Sequence, residues 1–353
     1  REQRLRRRAA NTVAAFGFDE VQSYPFVSRA QLDAFGAGAE TAEGDHPAAV
    51  AAIRLANPLD GEVPFLRRSL LPGLVGVARR NVSRGLTDLS VVELGAVFVP
   101  ASGDVEPGTE TVPPLAELPS AETLAQLDAS IPAQPLRAAG LLLGDAVAKQ
   151  PGETPRAYDW SDALDAARVL AAAVGFGADH GADSGLVVRQ GAHRAFHPGR
   201  TAELCVTVDG ALEVVGVAGE LLPELVADSH LPGRVAAFEI DLGRLIEIAP
   251  REPQTRQLSG YPAATQDLTL LVDAGVPADA VLAAIVAGAG DLLEHARIVD
   301  DYRGAGVPEG QRALTFALRF RADDRTLKAE EATEAKLAGA AAAETAFGAR
   351  QRD

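Results

Sequence analysis

The first predicted element is an amphipathic helix over residues 5–16, because apolar side chains recur there every three to four positions. A second helix is predicted to run from Ser69, a residue type that caps helix N-termini, to Val82. A third is predicted over residues 161–174, where apolar residues again fall on one side. The apolar positions of the first helix are Leu5, Ala9, Val13 and Phe16.

Strands are predicted where apolar residues form short runs or alternate with polar ones. The run 89–99 is apolar on both alternating faces, which indicates a central strand covered on both sides. Asp209-Gly210 separates the runs 201–208 and 212–218, and this dipeptide suits the tight turn of a β-hairpin. Because such strands alternate with helices, the pattern predicts an α+β fold with a mixed, mainly antiparallel sheet. Further strands are predicted at 20–26, 138–143 and 235–242.

A change of pattern divides the chain into two expected domains, residues 1–250 and 258–353. Residues 247–262 hold three prolines among polar residues, which is typical of a linker. The segments beyond it predict strand, helix, strand, strand and helix, most of a ferredoxin-like βαββαβ domain, with the last strand supplied by the tail 348–353. These segments are 267–272, 277–287, 292–300, 314–321 and 329–347. The polar stretches 36–49 and 100–136 are predicted surface loops.

Charge and composition limit the possible partners. The 353 residues contain 33 Lys and Arg against 49 Asp and Glu, a net charge of -16, so general affinity for polyanions is not expected and any RNA contact must be local. Neither a signal sequence nor a membrane span is predicted, and a cytoplasmic location is expected. The single cysteine, Cys205, is interpreted as a core residue. Because the chain starts with Arg1 and lacks Met, we expect a fragment of a longer protein.

Catalytic and metal-binding motifs are absent from the sequence. There is no Walker loop, no Gly-x-Gly-x-x-Gly opening a helix and no Gly-x-Ser-x-Gly elbow. His193 and His197 have the spacing of a metal-binding pair, but Pro198-Gly199 interrupts any helix and no third ligand follows. We therefore expect a structured turn, in which Arg200 pairs with carboxylates, and no metal site.

Residues 258–353 resemble the ferredoxin-fold anticodon-binding domain of the phenylalanyl-tRNA synthetase β-subunit family. The resemblance rests on several motifs in a fixed order: Tyr261-Pro262-Ala263, Gln266-Asp267-Leu268, Asp301-Tyr302-Arg303-Gly304, the run from Leu314 to Arg321, and Asp324-Arg325-Thr326-Leu327. The family has Thr where this chain has Lys328, so the capping box with Glu331 is expected to be lost.

The region before it resembles the synthetase-like module of the same subunit. The motifs are Asn57-Pro58-Leu59 with Leu66 to Leu74, Val92 to Phe98, His197 to Ala202 with Gly216 to Leu221, and Phe238 to Leu242. The resemblance implies a module that descends from class II synthetases and packs against a catalytic α subunit in an (αβ)₂ assembly. The arginine and the Gly-rich Glu-Arg motif of class II catalysis are missing, so no catalytic residue is expected here. The resemblance implies that the whole enzyme uses ATP and Mg²⁺ and that this part binds neither.

Alternation along the run 314–321 predicts which side chains of the terminal domain are available to RNA. Its apolar set must face the helices, which leaves Arg319 and Arg321 on the open face of the sheet. Tyr302 is the candidate for stacking on an anticodon base, as the resemblance implies. The predicted tRNA-binding residues are Tyr302, Arg303, Arg319, Arg321 and Arg325.

A different interpretation of the same residues is that Tyr302 covers the core and the arginines pair with aspartates. The domain is acidic, with ten Lys and Arg against fifteen Asp and Glu from residue 258 onward. The chain would then be a protein-interaction scaffold that retains the fold without a role in RNA binding. The aspartates considered are Asp300, Asp323 and Asp324.

Overall fold

The computed structural model describes residues 1–36, 51–100, 116–177, 185–250 and 259–352 of the 353. The chain divides into two compact units, Arg1–Gln254 and Thr255–Asp353, named here the N-terminal and C-terminal units. Parts of three predicted polar segments lie outside the described residues: 37–49 of the predicted loop 36–49, 101–115 of the loop 100–136, and 251–258 of the linker 247–262.

The N-terminal unit is built on a seven-stranded sheet with helices on both faces. Its helices are α1 (Glu2–Ala15), α2 (Arg29–Phe35), α3 (Leu71–Val82), α4 (Ala121–Ser130), α5 (Trp160–Val174), α6 (Pro223–Asp228) and α7 (Leu242–Ile248). Its strands are β1 (Asp19–Glu20), β2 (Phe26–Val27), β3 (Phe65–Leu66), β4 (Leu89–Ala96), β5 (Leu136–Leu143), β6 (Asp145–Val147), β7 (Arg156–Ala157), β8 (Val187–Gln190), β9 (Phe196–Val208), β10 (Ala211–Leu221) and β11 (Val235–Ile240).

The main sheet has the strand order β1-β4-β5-β11-β10-β9-β8. Only the short β1 runs parallel to its neighbour β4, and the other five pairings are antiparallel. Two further pairs, β2-β3 and β6-β7, lie apart from it. The prediction of a mixed, mainly antiparallel α+β fold is therefore confirmed.

Each face of the main sheet is covered by its own hydrophobic cluster, because neighbouring strand residues point to opposite sides. Val92 belongs to the cluster that contains residues of α1, α5 and α7, whereas Val91 belongs to the cluster that contains residues of α3. The strand predicted at 89–99 is thus covered on both faces, as expected, although it ends at Ala96. Cys205 is fully buried, which confirms its assignment to the core.

Several local predictions for this unit need correction. Phe16, predicted on the apolar face of the first helix, is 48% exposed and forms the C-cap of α1, which ends at Ala15. The single strand predicted at 20–26 consists of two separate two-residue strands, β1 and β2, which pair with different partners, β4 and β3. The N-cap of α3 is Leu70 and not the predicted Ser69. The hydroxyl of Ser69 nevertheless accepts a hydrogen bond from the backbone N–H of Leu71, at 3.1 Å.

The turn predicted between β9 and β10 is confirmed. Val208 pairs with Ala211, and the two residues between them adopt left-handed backbone conformations. Asp209 has φ 50° and Gly210 has φ 81°, as the tight primed turn requires. In contrast, the predicted loop 100–136 is not wholly irregular, because the helix α4 lies within it. None of the residues of α4 is buried, as expected for a surface segment.

The C-terminal unit contains a four-stranded antiparallel sheet with two helices on one face. Its elements are β12 (Ala264–Asp273), α8 (Ala278–Ala289), β13 (Leu293–Tyr302), β14 (Gln311–Phe320), α9 (Ala329–Phe347) and β15 (Arg350–Gln351). The strand order is β13-β14-β12-β15, and the tail supplies the fourth strand by pairing with Leu270 and Leu271. The predicted ferredoxin-like βαββαβ arrangement is confirmed.

The helices of the C-terminal unit pack closely because their contact positions are small. A Cβ atom added to Gly288 of α8 would lie 2.5 Å from the Cβ of Ala342 in α9. The start of α9 keeps half of a capping box, because the backbone N–H of Lys328 donates to Glu331 at 2.9 Å. An ammonium side chain has no acceptor for the other half, so the capping box is only partly lost.

Candidate nucleic-acid interface

Among the described residues of the C-terminal unit, no helix covers one face of the four-stranded sheet. Alternation along β14 selects the side chains that lie on this face. Leu314, Phe316, Leu318 and Phe320 are each at most 1% exposed, and they pack with α8 and α9. The intervening residues lie on the opposite face, called here the open face. This confirms the predicted orientation of the strand. The open-face positions of β14 and its continuation are Ala313, Thr315, Ala317, Arg319 and Arg321.

Two β-bulges in the edge strand β13 decide which of its residues reach the open face. Register shifts between Leu293 and His295 and between Ile298 and Asp300 leave Glu294 and Val299 as the extra residues. The pairing then places on the open face the residues opposite those of β14. These are His295 opposite Arg319, Arg297 opposite Ala317, Asp300 opposite Thr315 and Tyr302 opposite Ala313.

Tyr302 lies at one end of the open face. Its ring is 41% exposed, and its hydroxyl is 3.4 Å from the carbonyl oxygen of Ala305. Its β14 partner, Ala313, is six residues from Arg319, so Tyr302 and Arg319 are about 20 Å apart along the strand at roughly 3.4 Å per residue. The two residues share a face, but they cannot contact one nucleotide together.

Arg319 and Arg321 lie at the other end and share one carboxylate. The Nε of Arg319 is 2.6 Å from Oε2 of Glu294, and the Nε of Arg321 is 3.0 Å from Oε1. The partner is thus Glu294, and the alternative interpretation was wrong to assign Asp300, Asp323 and Asp324 to these arginines. Arg319 remains half exposed, whereas the side chain of Arg321 is only 15% exposed.

Arg303 and Arg325 lie outside the sheet, in the segments that follow β13 and β14. Arg303 makes two hydrogen bonds to the carboxylate of Asp301, at 3.1 and 3.2 Å. These bonds, together with the nearby Arg312, lower the pKa of Asp301. The same bonds to Asp301 raise the pKa of Arg303. Arg325 pairs with Glu331 at 2.7 Å. The structure therefore brings Tyr302, Arg319 and Arg321 to one face, but not Arg303 and Arg325.

Three basic side chains of the open face were not predicted from the sequence: His295, Arg297 and Arg350. Arg350 of β15 pairs with Leu271, which lies in the same cross-strand row as Ala313 and Tyr302. It is about 14 Å from Tyr302, at three strand spacings of roughly 4.8 Å. Arg350 could be found from the sequence once the tail is accepted as a strand. Arg297 could not, because strict alternation without the bulge puts it on the opposite face from Tyr302.

In the N-terminal unit, a row of ionic side chains crosses the main sheet on the face covered by α3. Cross-strand pairing aligns three carboxylates in this row, and each one has an arginine partner. The nitrogen–oxygen distance is 2.6 Å between Arg67 and Glu93, 3.5 Å between Arg137 and Glu239, and 2.7 Å between Arg189 and Glu203. The hydroxyl of Ser69 also donates to Glu239, at 2.5 Å. The aligned positions are Glu93, Ala139, Glu239, Val217, Glu203 and Arg189.

A cavity of about 140 Å³ lies beside this row, and His193 forms part of its wall. Nδ1 of His193 accepts a hydrogen bond from the N–H of Ala195, which places the ring proton on Nε2, 3.1 Å from the carbonyl oxygen of Gly36. In His197 the same atom, Nδ1, accepts from the N–H of Gly199. Arg200 pairs with Glu220 at 2.7 Å, which confirms the expected carboxylate partner. The predicted turn is wrong at this point, because Pro198, Gly199 and Arg200 lie within β9. Among the described residues, no group of three His, Cys, Asp or Glu side chains could hold a metal ion.

Burial lowers the pKa of His193 below its ordinary value of 6.5. As the pH falls, His193 takes up a proton in the unfolded chain at a higher pH than in the folded one. We therefore expect the N-terminal unit to lose stability as the pH falls below about 6.5. An NMR titration of the ring should give a midpoint below 6.5, and His193→Gln should flatten the fall in the free energy of unfolding between pH 7 and 5.5. A midpoint at or above 6.5 would contradict this prediction.

Comparisons with known proteins agree with both units. Residues 259–352 match the ferredoxin-fold anticodon binding domain. Residues 1–242 match the phenylalanyl tRNA synthetase beta chain CLM domain. The chain therefore belongs to the phenylalanyl-tRNA synthetase β-chain family.

The similar proteins extend over the whole chain. It is 52% identical to the phenylalanine–tRNA ligase beta subunit of Leifsonia xyli, over 100% of this chain and 39% of that protein. It is 40% identical to the corresponding subunit of Streptomyces avermitilis, over 99% of this chain and 40% of that protein. The chain thus spans about two fifths of these relatives. A solved structure, pyrrolysyl-tRNA synthetase from Desulfitobacterium hafniense, aligns with a TM-score of 0.43 and 15% identity, over 70% of this chain and 68% of that one.

Proposed function

We propose that the chain is the C-terminal part of a phenylalanine–tRNA ligase β subunit, which supports a catalytic α subunit and binds the anticodon of phenylalanine tRNA. The observation that carries the proposal is an anticodon-binding fold with an aromatic ring and basic side chains on its open face. In this proposal residues 1–250 form a catalytically silent module, and residues 258–353 bind the tRNA. The whole enzyme uses ATP and Mg²⁺ in an (αβ)₂ assembly in the cytoplasm, and this part binds neither cofactor.

The chemistry of the open face supports contact with a single-stranded loop. RNA-binding sheets stack unpaired bases on aromatic rings and hold the backbone with cations, and Tyr302 and Arg319 are of those two types. Their separation of about 20 Å requires a ligand that spans several nucleotides, as an anticodon loop does. In the described part of the chain, none of the helices could span a lipid bilayer.

Tyr302→Ala is expected to weaken tRNA binding by about 5- to 150-fold, because one stacked base contributes about 1–3 kcal/mol. The salt dependence should stay unchanged, since no charge is removed. Arg319→Ala should instead reduce the slope of log K against log salt by about 0.7 to 0.9. Binding of the chain to phenylalanine tRNA, measured by fluorescence anisotropy at several salt concentrations, checks both.

The matched control is Tyr24→Ala in the N-terminal unit, where the ring is 85% exposed, and it should bind tRNA as the unchanged chain does. A phenylalanine tRNA with a swapped anticodon should bind more weakly than the natural one. Capture of the α subunit from the same organism tests the supporting role. Equal affinity for both tRNAs, together with no capture, would overturn the proposal.

A protein-interaction scaffold without a role in RNA binding is the second candidate. The observation in its favour is that Arg303, Arg319, Arg321 and Arg325 are all paired with carboxylates. In this case the double variant Tyr302→Ala/Arg319→Ala would keep both the tRNA affinity and its salt dependence, while capture of the α subunit would persist.

A further inference from the structure

Glu294 lies outside the regular cross-strand pairing of the sheet, because it is at a β-bulge. It is the extra residue of a bulge, between Leu293, which pairs with Phe320, and His295, which pairs with Arg319. A bulge re-aims the side chain of its extra residue. As a result, the carboxylate of the edge strand β13 lies against the arginines of the neighbouring chain segment.

The two arginines hold this carboxylate with one nitrogen each. Nε of Arg319 contacts Oε2, and Nε of Arg321 contacts Oε1. Nε of Arg321 makes no hydrogen bond to any described residue, so these contacts are ion pairs. Guanidinium groups bind phosphate oxygens as well as carboxylate oxygens, so the same two cations would also attract a phosphate. The carboxylate therefore occupies a site that an RNA backbone could use.

The guanidinium group of Arg321 is already held in place by backbone carbonyl groups. Its Nη1 donates to the carbonyl oxygens of Ser259 and Tyr261, and its side chain is 15% exposed. The side chain of Arg319 is 49% exposed and that of Glu294 is 27% exposed, although Oε2, the oxygen of Glu294 that contacts Arg319, is itself buried. A phosphate can therefore reach this place only if the carboxylate swings away. An incoming phosphate would displace Glu294 from a guanidinium group that is already oriented.

We propose that Glu294 is an internal competitor for a backbone phosphate at Arg319 and Arg321. This inference rests on the proposed RNA-binding function and names the group that limits it. Because the carboxylate cancels one of the two positive charges at this end of the open face, phosphate contact alone gains less. Binding then depends on further contacts, such as stacking on Tyr302, and a nonspecific polyanion is disfavoured.

Glu294→Gln is expected to raise the affinity for phenylalanine tRNA about tenfold at low salt, because one charged competitor is removed and one phosphate contact is gained. The slope of log K against log salt should become steeper by about 0.7 to 0.9. Glu294→Ala, a second variant, should act in the same direction. The measurement is fluorescence anisotropy on the full chain, after thermal unfolding has shown that each variant is folded.

The matched control is Glu344→Gln, which makes the same charge change at an exposed position of α9, on the helical side of the sheet. It should change the affinity for tRNA by less than about twofold, since an exposed charge on the helical side of the sheet is screened from RNA on the open face. Adding Arg319→Ala to Glu294→Gln should remove most of the gain. An unchanged or weaker affinity in both Glu294 variants would overturn the inference.

The anticodon-swapped tRNA separates this inference from the proposed function. If Glu294→Gln increases affinity equally for both tRNAs and neither protein prefers the natural anticodon, the phosphate site stands and the anticodon-binding function fails. If the unchanged chain prefers the natural anticodon but Glu294→Gln gains nothing, the function stands and the role of Glu294 fails.

Discussion

Arg67→Met should lower the free energy of unfolding of the N-terminal unit by about 3–5 kcal/mol, because it leaves a buried carboxylate without its cation. The Arg67 and Glu93 side chains are 7% and 3% exposed, and their Nη1–Oε1 distance is 2.6 Å. Nε of Arg67 also donates to the carbonyl oxygen of Ala96 at 3.0 Å. After the substitution, the partner that Glu93 retains is the hydroxyl of Ser23, at 2.5 Å.

This loss can be measured in the intact chain, because the single tryptophan, Trp160, lies in the N-terminal unit. Urea unfolding followed by tryptophan fluorescence therefore reports on that unit. The matched control is Arg168→Met, whose pair with Asp165 is more than half exposed and should change stability by less than about 0.5 kcal/mol. Arg67→Met/Glu93→Leu should recover part of the loss, since the unpaired charge is removed as well. A loss below about 1 kcal/mol would contradict the prediction.

Leu318→Ala should destabilise the C-terminal unit by about 2–5 kcal/mol, because the side chain is buried between the sheet and its helices. Leu318 is 1% exposed and belongs to the cluster formed with α8 and α9. The lost methyl groups leave a cavity that neighbouring side chains fill only in part. Weakened packing in β14 should also loosen the strand that carries Arg319.

The same leucine-to-alanine substitution at an exposed position shows how much of the destabilisation comes from burial of the side chain. Leu337 of α9 is 48% exposed, and Leu337→Ala should change stability by less than about 1 kcal/mol. The C-terminal unit contains no tryptophan, so amide hydrogen exchange of β14, read by mass spectrometry, is the suitable measurement. Similar protection of β14 in both variants would contradict the prediction.

Hydrophobic patterning was sufficient for the elements of the fold that local physics controls. Alternation in β14 identified the buried and open faces, because side chains in a strand point to opposite sides at every step. The Asp209-Gly210 turn was predictable, since few residue types adopt its backbone conformation readily. The helix boundaries of α9, Ala329 and Phe347, agree with the prediction.

The candidate interface was only partly predictable. Alternation placed Arg319 and Arg321 on the open face, and the family resemblance supplied Tyr302. Whether these residues bind RNA stays a prediction. The ion pairs with Glu294 were missed, because the sequence shows charges but not which bulge aims a carboxylate toward which arginine.

The sequence by itself determined the order of elements in the C-terminal unit, the buried face of β14 and the family, because periodicity and ordered motifs are properties of neighbouring residues. Only the tertiary structure decided the pairing of Arg67 with Glu93, of Ser69 with Glu239, and of Glu294 with two arginines. These partners are 25 to 170 residues apart in the chain. Glu294 meets its arginines because strand register and a bulge place it beside them. No local pattern encodes register across a sheet, which depends on the packing of all its strands.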